Sequence, residues 1–398
     1  MTASHQLAAR IASLGSVMET ALRFIDLAQE YAQRPELANF AFGNPQEKAL
    51  PDYVAALQRA TVPQDKDWFA YTLSNPVAQE AISASLRAWR GIDFAPEDIL
   101  VTTGAFAGLF VSLWALAGPG DEVLFMAPPW FFYEAQITAV GAQPVRVRVE
   151  PETFDLDLNA IADAITPRTR AIIVNSPHNP TGRIYPPETL RALADLLAEA
   201  SARQGRPVYL LSDEAYSRIV FDGARYPSPT EFYPYTLLVY TYGKTLLTPG
   251  QRIGYIALPP SMPERETLRG ALMMAQVATG FTFANALLQH AVPELERLSI
   301  DVAQLQARRD RLVGALRELG YELHSPEGTF YLLPRSPLED DWAFSQILLR
   351  HNILCLPGMV TEAPGYFRLS ITASDDMIEQ SLPGFERAMN EAIRERAG

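Results

Sequence analysis

The sequence predicts an α/β protein with two domains: a large one, in which helices sandwich a mostly parallel sheet, and a smaller α+β domain. From about residue 98, strand-like and helix-like segments alternate, which is typical of a parallel sheet with helices on both faces. After residue 258 the sequence becomes mainly helical with a few short strands. The length of 398 residues is too great for one small core and suits two unequal domains.

The predicted strands are short runs, rich in β-branched or aromatic residues and bounded by polar turns. They cover residues 99–103, 122–126, 145–149, 171–175, 208–212 and 237–241. Helices are predicted at 105–116, 131–140 and 187–202. Ligands of such sheets bind at the carboxyl ends of the strands, so the side chains that follow these strands are the first candidates for a functional site.

The remaining segments predict an N-terminal arm and the second domain. Apolar residues recur at helical spacing from Leu14 to Ile25, which predicts an amphipathic helix. Residues 285–318 predict one long, nearly unbroken helix, followed by short strands at 329–333 and 367–371 and a last helix at 376–394. We predict an arm with part of the small domain over residues 1–45, a large domain over 46–295 and a small domain over 296–398.

Composition narrows the classes of partner and compartment. The formal net charge of -13 argues against nucleic acid, because phosphate backbones are bound by basic patches. No segment approaches the ~20 apolar residues that cross a bilayer, and the first thirty residues lack the apolar stretch of a signal peptide. The single cysteine, Cys355, lies in an apolar run and is interpreted as a core residue. We therefore expect a cytoplasmic protein with no membrane partner, no internal disulfide and no metal site.

A lysine closely follows the predicted strand at 237–241. Lys244 comes directly after Gly243 in a chain with few lysines, and Arg252 follows eight residues later. A lysine desolvated at a strand end can lose its proton and attack a carbonyl carbon, forming a Schiff base. The fixed guanidinium of Arg252 suits an anion such as phosphate. Either residue, taken alone, also fits an ordinary surface position.

An acidic residue follows the strand at 208–212. Asp213 suits a carboxylate that keeps a pyridine nitrogen protonated. Tyr216, three residues later, suits a hydroxyl that donates to a phenolate oxygen. An acid at a strand end also serves as a helix cap, so the residues alone leave both roles of Asp213 open.

Two turns at strand ends complete this set. Residues 175–182 read Asn-Ser-Pro-His-Asn-Pro-Thr-Gly, a rigid loop whose strand-end asparagine amide favours ligand contact over a purely structural role. His178 is not singled out for catalysis, because its neighbours already explain the loop. The turn at 103–108 leads from a strand into a helix, whose N-terminal N–H groups suit phosphate, although many strand-to-helix turns look like it. The sequence contains neither a dinucleotide fingerprint nor a GxxxxGK[ST] run.

These motifs, in this order, resemble those of the class I and II aminotransferases of pyridoxal-phosphate fold type I. The lysine segment and the Asn-Pro-Thr-Gly loop are the most specific. The resemblance extends over nearly the whole chain, from residues 16–17 through Phe-Gly-Asn-Pro at 42–45 to Tyr-Phe-Arg-Leu-Ser at 366–370. It implies a seven-stranded type of sheet and pyridoxal 5'-phosphate as the cofactor.

The resemblance implies a role for each residue that matches a family motif. Lys244 would hold the cofactor as a Schiff base, and Asp213 would pair with its ring nitrogen. Asn179 and Tyr216 would bond its phenolic oxygen, and Trp130 would stack on its ring. Five residues would cradle its phosphate: Gly104, Ala105, Phe106, Thr241 and Arg252.

Substrate and partner contacts are implied in the same way. Arg368 would clamp the α-carboxylate of the substrate, beside the backbone of Gly43 and near Asn179. Tyr71 would reach the phosphate of the neighbouring subunit, which implies a homodimer with shared active sites.

The sequence departs from the family pattern at three positions. Gly243 stands where a serine usually precedes the lysine, and Pro76 where a glycine often follows the tyrosine segment. Phe106 stands at the phosphate turn, where polar side chains are frequent. None of these changes removes a catalytic group, but they leave room for an unusual substrate or reaction.

The resemblance implies a transaminase that moves an amino group between an L-amino acid and a 2-oxo acid. The substrate amine would displace Lys244, whose free amine would then act as the general base at Cα. Another pyridoxal-phosphate reaction on the same site, such as β-elimination, racemisation, oxidation or cyclisation, is the alternative. A non-catalytic regulatory relative is a more remote one, and intact Lys244 and Asp213 argue against it.

The sequence does not define the substrate side chain. Four aromatic residues near the inferred site, Trp130, Phe131, Phe281 and Phe283, favour an apolar or aromatic amino acid, but core packing explains them as well. We identify no second arginine or lysine that would bind a distal carboxylate.

Overall fold

The structure is a computed structural model that describes residues 8–31 and 33–397. In this part of the chain the helices are α1 (Ala9–Tyr31), α2 (Pro51–Ala60), α3 (Pro76–Arg90), α4 (Gly104–Leu116), α5 (Tyr133–Ala139), α6 (Leu158–Ala164), α7 (Pro187–Gln204), α8 (Tyr242–Thr245), α9 (Arg265–Thr279), α10 (Ala286–Leu295), α11 (Val302–Glu318), α12 (Asp341–Arg350) and α13 (Asp375–Ala397). The strands are β1 (Ala38–Asn39), β2 (Ile99–Thr102), β3 (Glu122–Ala127), β4 (Gln143–Arg148), β5 (Thr169–Asn175), β6 (Tyr209–Asp213), β7 (Thr236–Thr241), β8 (Gly254–Ala257), β9 (Tyr331–Leu332), β10 (Ile353–Leu354), β11 (Leu356–Pro357) and β12 (Phe367–Ser370).

Seven strands form the central sheet in the order β2-β8-β7-β6-β5-β3-β4. The pairs from β7 to β4 are parallel, whereas β8 runs antiparallel to both of its neighbours. The predicted mostly parallel sheet is therefore confirmed. Because β5, β6 and β7 are adjacent and parallel, their carboxyl ends at Asn175, Asp213 and Thr241 meet at one edge of the sheet.

Apolar side chains cover both faces of the sheet. Successive residues of β7 alternate between two clusters, Leu237 and Val239 on one face and Leu238 and Tyr240 on the other. Helices α4, α5 and α9 pack on the first face, and α2, α3, α6, α7 and α10 pack on the second. Burial on both faces explains why the inner strands are mainly apolar rather than alternating, whereas the edge strand β4 carries exposed polar residues.

The second body of structure is built from α11, α12, α13 and the short strands β9 to β12, and the N-terminal segment joins it. Strand β1 pairs with β10 in parallel register, and Phe40 lies in the same apolar cluster as Phe367 and Phe385. Helix α1 buries Phe24 against Leu354. The limits of the domains at residues 45 and 295 stay predictions.

The long helix predicted at 285–318 is wrong, because the chain forms two helices, α10 and α11, with a break at 296–301. Glu296 ends the first helix and its carboxylate binds the hydroxyl of Tyr242 and the guanidinium of Arg218. Asp301 starts the second helix, since its side chain accepts a hydrogen bond of 3.0 Å from the N–H of Gln304. The apolar periodicity continues across this break, which is why the sequence indicates one helix.

The burial of Cys355 and the hydropathy of the helices can be read from the fold. Cys355 is buried, and burial raises the pKa of its thiol to about 12. Among the described residues, no helix is long and apolar enough to cross a membrane.

An ion pair is buried behind the edge of the sheet where β6 ends. Glu214 follows Asp213 and binds the guanidinium of Arg90, and the two side chains are 0% and 4% exposed. Glu214 also accepts hydrogen bonds from Ser212 and Ser228, at 3.0 and 2.5 Å. Burial raises the pKa of Glu214, and Arg90 and the two hydroxyls oppose that rise.

Breaking this buried pair should cost far more than breaking a surface pair on the same helix. We expect Arg90→Met to lower the free energy of unfolding by about 3–5 kcal/mol, because it leaves a carboxylate buried without a counter-ion. Adding Glu214→Gln should restore part of that loss. Arg87→Met is the matched control, since Arg87 pairs with Asp93 at the surface and should cost at most about 1 kcal/mol. Urea unfolding followed by circular dichroism measures the free energy of unfolding of the unchanged protein, the two single variants and the double variant. Equal losses of stability in Arg90→Met and Arg87→Met would contradict the expectation.

Candidate active site

A cleft of about 730 Å³ opens at the carboxyl edge of the central sheet. It is lined by the side chains that follow β5, β6 and β7, by the start of α4 and by an aromatic segment after β3. Nine of the residues predicted for the site line this cleft: Ala105, Phe106, Trp130, Asn179, Asp213, Tyr216, Thr241, Lys244 and Arg252. The structure thus brings together residues that are spread over almost 150 positions of the sequence.

The loop at 175–182 is held against β6 by the side chain of Asn175. Its amide donates to the backbone carbonyl of Asp213 at 2.8 Å, and its oxygen accepts from the N–H of Asn179 at 2.8 Å. His178 is buried and shares a 2.8 Å hydrogen bond with the hydroxyl of Thr181. Burial lowers the pKa of His178 to about 3. The imidazole is therefore neutral and supports the loop, while Asn179 reaches the cleft.

Asp213 is buried at the base of the cleft, 5% exposed. The hydroxyl of Tyr133 donates to one carboxylate oxygen at 2.6 Å, and the N–H of Ala215 donates to the other at 3.2 Å. Burial raises the pKa of Asp213, while these two hydrogen bonds and nearby Lys244 act to lower it. Within residues 8–31 and 33–397, no lysine or arginine forms an ion pair with this carboxylate. No helix begins at Asp213, so the alternative role of helix cap is excluded.

Lys244 lies in the one-turn helix α8, directly after β7. Its side chain is half-buried, and Nζ lies 5.5 Å from the ring centroids of both Tyr216 and Phe330. The other two lysines of the chain, Lys48 and Lys66, are exposed. Lys244 is therefore the lysine that faces the cleft.

The start of α4 and Arg252 form a cradle for an anion. Helix α4 begins at Gly104 without a side-chain cap from Thr103, so its first N–H groups are available to a ligand. Gly104 has a φ of +83°, and a Cβ there would lie 2.9 Å from Nη2 of Arg252. The glycine thus lets the guanidinium lie against the helix N-terminus. Arg252 donates to the carbonyl of Pro249 at 2.7 Å and forms no ion pair with a described carboxylate.

The departure at Gly243 has a steric explanation. A Cβ at this position would lie 3.1 Å from Cα of Pro249 and 3.4 Å from the carbonyl oxygen of Thr248. A serine would need this loop to move, so the close approach of the loop favours glycine.

Arg368, on β12, is buried beside the cleft. Its guanidinium donates to Oδ1 of Asn179 at 3.0 Å and to the carbonyl of Ala41 at 2.9 Å, and its Nε has no hydrogen-bond partner among the described residues. It stacks on the ring of Tyr331 at 3.9 Å. Gly43 lies close by, where a Cβ would be 2.7 Å from the hydroxyl of Tyr331. A buried guanidinium with an unused N–H is well suited to a carboxylate ligand.

Two tyrosines of the site were missed by the sequence reasoning. Tyr133 binds Asp213, eighty residues away, and Tyr331 shares a hydrogen bond with Tyr216. Burial, together with Tyr331, raises the pKa of Tyr216. Burial alone would raise the pKa of Tyr331, but Lys244, Arg368 and the hydrogen bond from Tyr216 lower it. Only the aromatic segment at 128–133 gave a signal, and it pointed to Trp130.

Of the predicted site residues that do not line the cleft, Gly43, Gly104 and Arg368 lie beside it, whereas Tyr71 is at the surface. Its side chain is 89% exposed, and its ring centroid lies 5.0 Å from that of Phe283. The role of Tyr71 in a neighbouring subunit stays a prediction.

The described residues fit pyridoxal phosphate. Arg252 and the N-terminus of α4 suit its phosphate, the buried carboxylate of Asp213 lacks a cation and suits its protonated ring nitrogen, and Lys244 suits its aldehyde. Trp130 offers a flat face on the cleft wall. This site on a mostly parallel seven-stranded sheet defines a pyridoxal-phosphate enzyme of fold type I.

Comparison with known proteins specifies the family. Residues 35–382 match the family described as aminotransferase class I and II. The chain is 32% identical over 354 residues to the aspartate/prephenate aminotransferase of Thermus thermophilus, covering 86% of this chain and 88% of that protein. An amino transferase structure from Eubacterium rectale superposes with a TM-score of 0.88 at 29% identity, covering 98% of this chain and all of that one. The aspartate aminotransferase of Thermus thermophilus with maleate superposes with a TM-score of 0.83 at 29% identity, covering 97% and 100%.

The chain belongs to the class I and II aminotransferases. It is a transaminase that uses pyridoxal phosphate and transfers an amino group between an amino acid and a 2-oxo acid.

Removing the Tyr133 hydroxyl should change how cofactor affinity depends on pH. Tyr133→Phe loses the hydrogen bond that stabilises the ionised form of Asp213, so we expect the pKa of Asp213 to rise further. Asp213 holds a protonated ring only when it is ionised, so affinity falls as the pH drops through this pKa. The fall should therefore begin at a higher pH in the variant. Equilibrium dialysis of pyridoxal phosphate across the acid range measures it.

Tyr185→Phe is the matched control, because Tyr185 is also buried and its hydroxyl has no hydrogen-bond partner in the part of the chain that the structure describes. Its pH dependence should match that of the unchanged protein. An unshifted fall in Tyr133→Phe would show that this hydroxyl does not support the charge on Asp213.

Proposed function

We propose that transamination in this protein is carried out by Lys244, Asp213 and Arg368, with Asn179 and Tyr216 holding the cofactor's phenolic oxygen. The observation that carries this proposal is the convergence on one cleft of a lysine, a buried carboxylate without a cation and a buried guanidinium with an unused N–H. Each group has the charge that complements one part of the cofactor or the substrate.

The carboxylate of an L-amino acid would bind Arg368, which has a planar fork already fixed by Asn179 and Ala41. Binding at Arg368 would place the substrate's Cα toward Lys244. The side chains of Arg368 and Lys244 both lie against the hydrogen-bonded pair of Tyr331 and Tyr216. When bound, pyridoxal phosphate supplies an aldehyde that captures the substrate amine and a ring that accepts the electron pair left when the Cα proton departs. Nζ of Lys244 would take that proton from Cα and would return it to the carbon that carried the cofactor's aldehyde, so that the amino group stays on the cofactor when the 2-oxo acid leaves.

Asp213 and its neighbours keep the ring nitrogen protonated during this transfer. The carboxylate is shielded from water by burial and fixed by Tyr133 and the N–H of Ala215. A fixed charge in a buried position needs no reorganisation when the electron pair arrives. The phosphate, held by Arg252 and the start of α4, anchors the opposite end of the cofactor.

Borohydride reduction gives a direct test of this assignment, because the chain has three lysines. We expect reduction of the holoenzyme to attach the cofactor to Lys244 and leave Lys48 and Lys66 unlabelled. Lys244→Ala should lose the label and the transfer of the amino group to a 2-oxo acid, measured as oxo-acid and amino-acid product in equal amounts. Peptide mass spectrometry locates the label. A cofactor fixed on Lys48 or Lys66, or full turnover by Lys244→Ala, would refute the assignment.

We further propose that the protein is a homodimer in which Tyr71 serves the cofactor phosphate of the neighbouring subunit. The support is a group of exposed apolar side chains around Tyr71 and along α9. They include Phe69, Tyr71, Met274, Val277 and Phe283, which are 55%, 89%, 67%, 60% and 44% exposed. The rings of Tyr71 and Phe283 are in contact, and exposed apolar side chains of this kind are typical of an interface between subunits.

Mixed dimers test whether the sites are shared. We expect Lys244→Ala and Tyr71→Ala homodimers to be impaired, and activity to reappear when the two chains are mixed and allowed to exchange. Shared sites leave one site in the mixed dimer with both lesions and one with neither. If Tyr71 serves its own chain, every site keeps one lesion and no recovery occurs. Light scattering measures the dimer itself, and a monomer at the assay concentration would contradict the proposal.

We also propose a cytoplasmic location. The thiol of Cys355 is buried and donates a hydrogen bond of 3.4 Å to the hydroxyl of Ser345. It is the single cysteine of the sequence, so it cannot form an internal disulfide. The fold is therefore compatible with a reducing compartment.

A further inference from the structure

The side chain of the substrate has to fit the part of the cleft that the cofactor and the α-carboxylate leave free. Among the described residues, Lys244 and Arg252 are the cations that line the cleft, and Arg368 adjoins it through Asn179. The proposed function uses all three, for the proton, the phosphate and the α-carboxylate. A second carboxylate on the substrate would have no cation to bind, and burying it unpaired is strongly unfavourable.

Arg146 is a further candidate, and it is already neutralised. It lines a second cavity, which shares Trp130 with the cleft and also includes Phe131. Its guanidinium pairs with Glu134 and, at 2.7 Å, with Glu362. A carboxylate entering this cavity would meet two glutamates for one arginine, so Arg146 is unsuited to bind a dicarboxylic substrate.

A neighbouring subunit would not supply the missing charge from the surface proposed for the dimer. That surface is formed by the segments around Tyr71 and Phe283, which the structure brings into contact. Residues 67–86 and 270–296 contain no lysine or arginine, and the two arginines in the first half of α9, Arg265 and Arg269, are both paired with the carboxylate of Asp98. Apolar and aromatic side chains would approach from that direction instead.

The aromatic side chain of the cleft wall that the proposed function does not use is Phe106. Its ring packs against Trp130, which also lines the cleft, and against Phe132, which does not, with ring centroids 5.0 and 5.2 Å apart. Phe106 lines the cleft and remains 38% exposed, so core packing does not account for it. An exposed aromatic ring at the wall of a binding cleft gains contact area when an apolar ligand covers it.

We infer that this enzyme selects amino acids with an apolar, preferably aromatic, side chain, and that Phe106 is the residue that determines this specificity. The inference rests on the proposed function. The relatives from Thermus thermophilus are named for aspartate, an acidic amino acid. The substrate inferred for this chain differs from theirs in its side chain.

Two inert carboxylates test the selectivity without turnover. 3-Phenylpropionate and succinate each present one carboxylate to Arg368 and differ at the far end, which carries a phenyl ring or a second carboxylate. Their dissociation constants on the holoenzyme are measured from the change in cofactor absorbance. We expect 3-phenylpropionate to bind more tightly, and L-phenylalanine to exceed L-aspartate in kcat/KM by on the order of 100-fold, because the second carboxylate finds no partner.

Three variants locate the selectivity. Phe106→Lys should shift both ratios toward succinate and L-aspartate by at least about 10-fold, because it places a cation on the aromatic wall. Phe106→Leu keeps the wall apolar but removes the ring, and should lower the preference for L-phenylalanine over L-leucine. Phe110→Lys is the control: it adds the same charge one turn along α4, outside the lining of the cleft, and should leave the ratios between substrates unchanged.

The outcomes separate this inference from the proposed function. Selective binding of 3-phenylpropionate without conversion of any amino acid would refute transamination by these residues and support the selectivity. Fastest conversion of L-aspartate, or equal binding of the two carboxylates, would overturn the selectivity while transamination stands. Ratios that move in Phe110→Lys as much as in Phe106→Lys would overturn the role of Phe106. If Phe106→Lys does not fold, an unchanged preference for L-phenylalanine over L-leucine in Phe106→Leu would overturn it equally.

Discussion

The parallel pairing of β5, β6 and β7 is the constraint on which the site depends. Strand register places Asn175 opposite Asp213, and Asp213 opposite Val239, two residues before the end of β7. Chain segments that end in polar residues are thereby brought to one edge of a sheet whose interior is apolar on both faces. The loop with Asn179, the buried carboxylate and the short helix with Lys244 are each only a few residues from a strand end, so their positions are set by the most rigid part of the molecule.

Electrostatics divides the cleft into two cationic ends and an anionic base. Arg252 and the N-terminus of α4 mark one end, Arg368 marks the other, and Asp213 lies at the base. Asp213 has no counter-ion among the described side chains, and hydrogen bonds from Tyr133 and from the N–H of Ala215 only partly offset the effect of its burial. Such an arrangement is unfavourable for the empty protein and favourable once a cation binds, which ties the stability of the site to occupancy by its cofactor.

The sequence predicted those parts of the structure that local chemistry specifies. Short β-branched or aromatic runs predicted six of the seven strands of the central sheet but not β8, and turns rich in glycine, proline and asparagine predicted where side chains would leave it. Contacts between distant segments were not predictable: nothing in the sequence links Tyr133 to Asp213 or Tyr331 to Arg368. The break between α10 and α11 was missed for a related reason, since it depends on bonds from Glu296 to residues more than fifty positions away. Nine of the residues recognised through the family resemblance line the cleft and Gly43, Gly104 and Arg368 lie beside it, whereas Tyr71 lies outside the cleft of its own chain.

In the turn at the start of α4, the main chain and the side chains have different roles. Its backbone N–H groups face the anion cradle, whereas the side chain of Phe106 faces the open cleft. Main-chain donors are present whatever the side chain, so position 106 can change from aromatic to charged without removing a phosphate contact. Position 104, in contrast, favours glycine, because its φ of +83° strains other residues and a Cβ there would displace the guanidinium of Arg252 from the anion cradle. Within three residues the fold thus places a position constrained by the cofactor beside one that is free to vary, so a single codon change at residue 106 could alter the substrate while the cofactor contacts are retained.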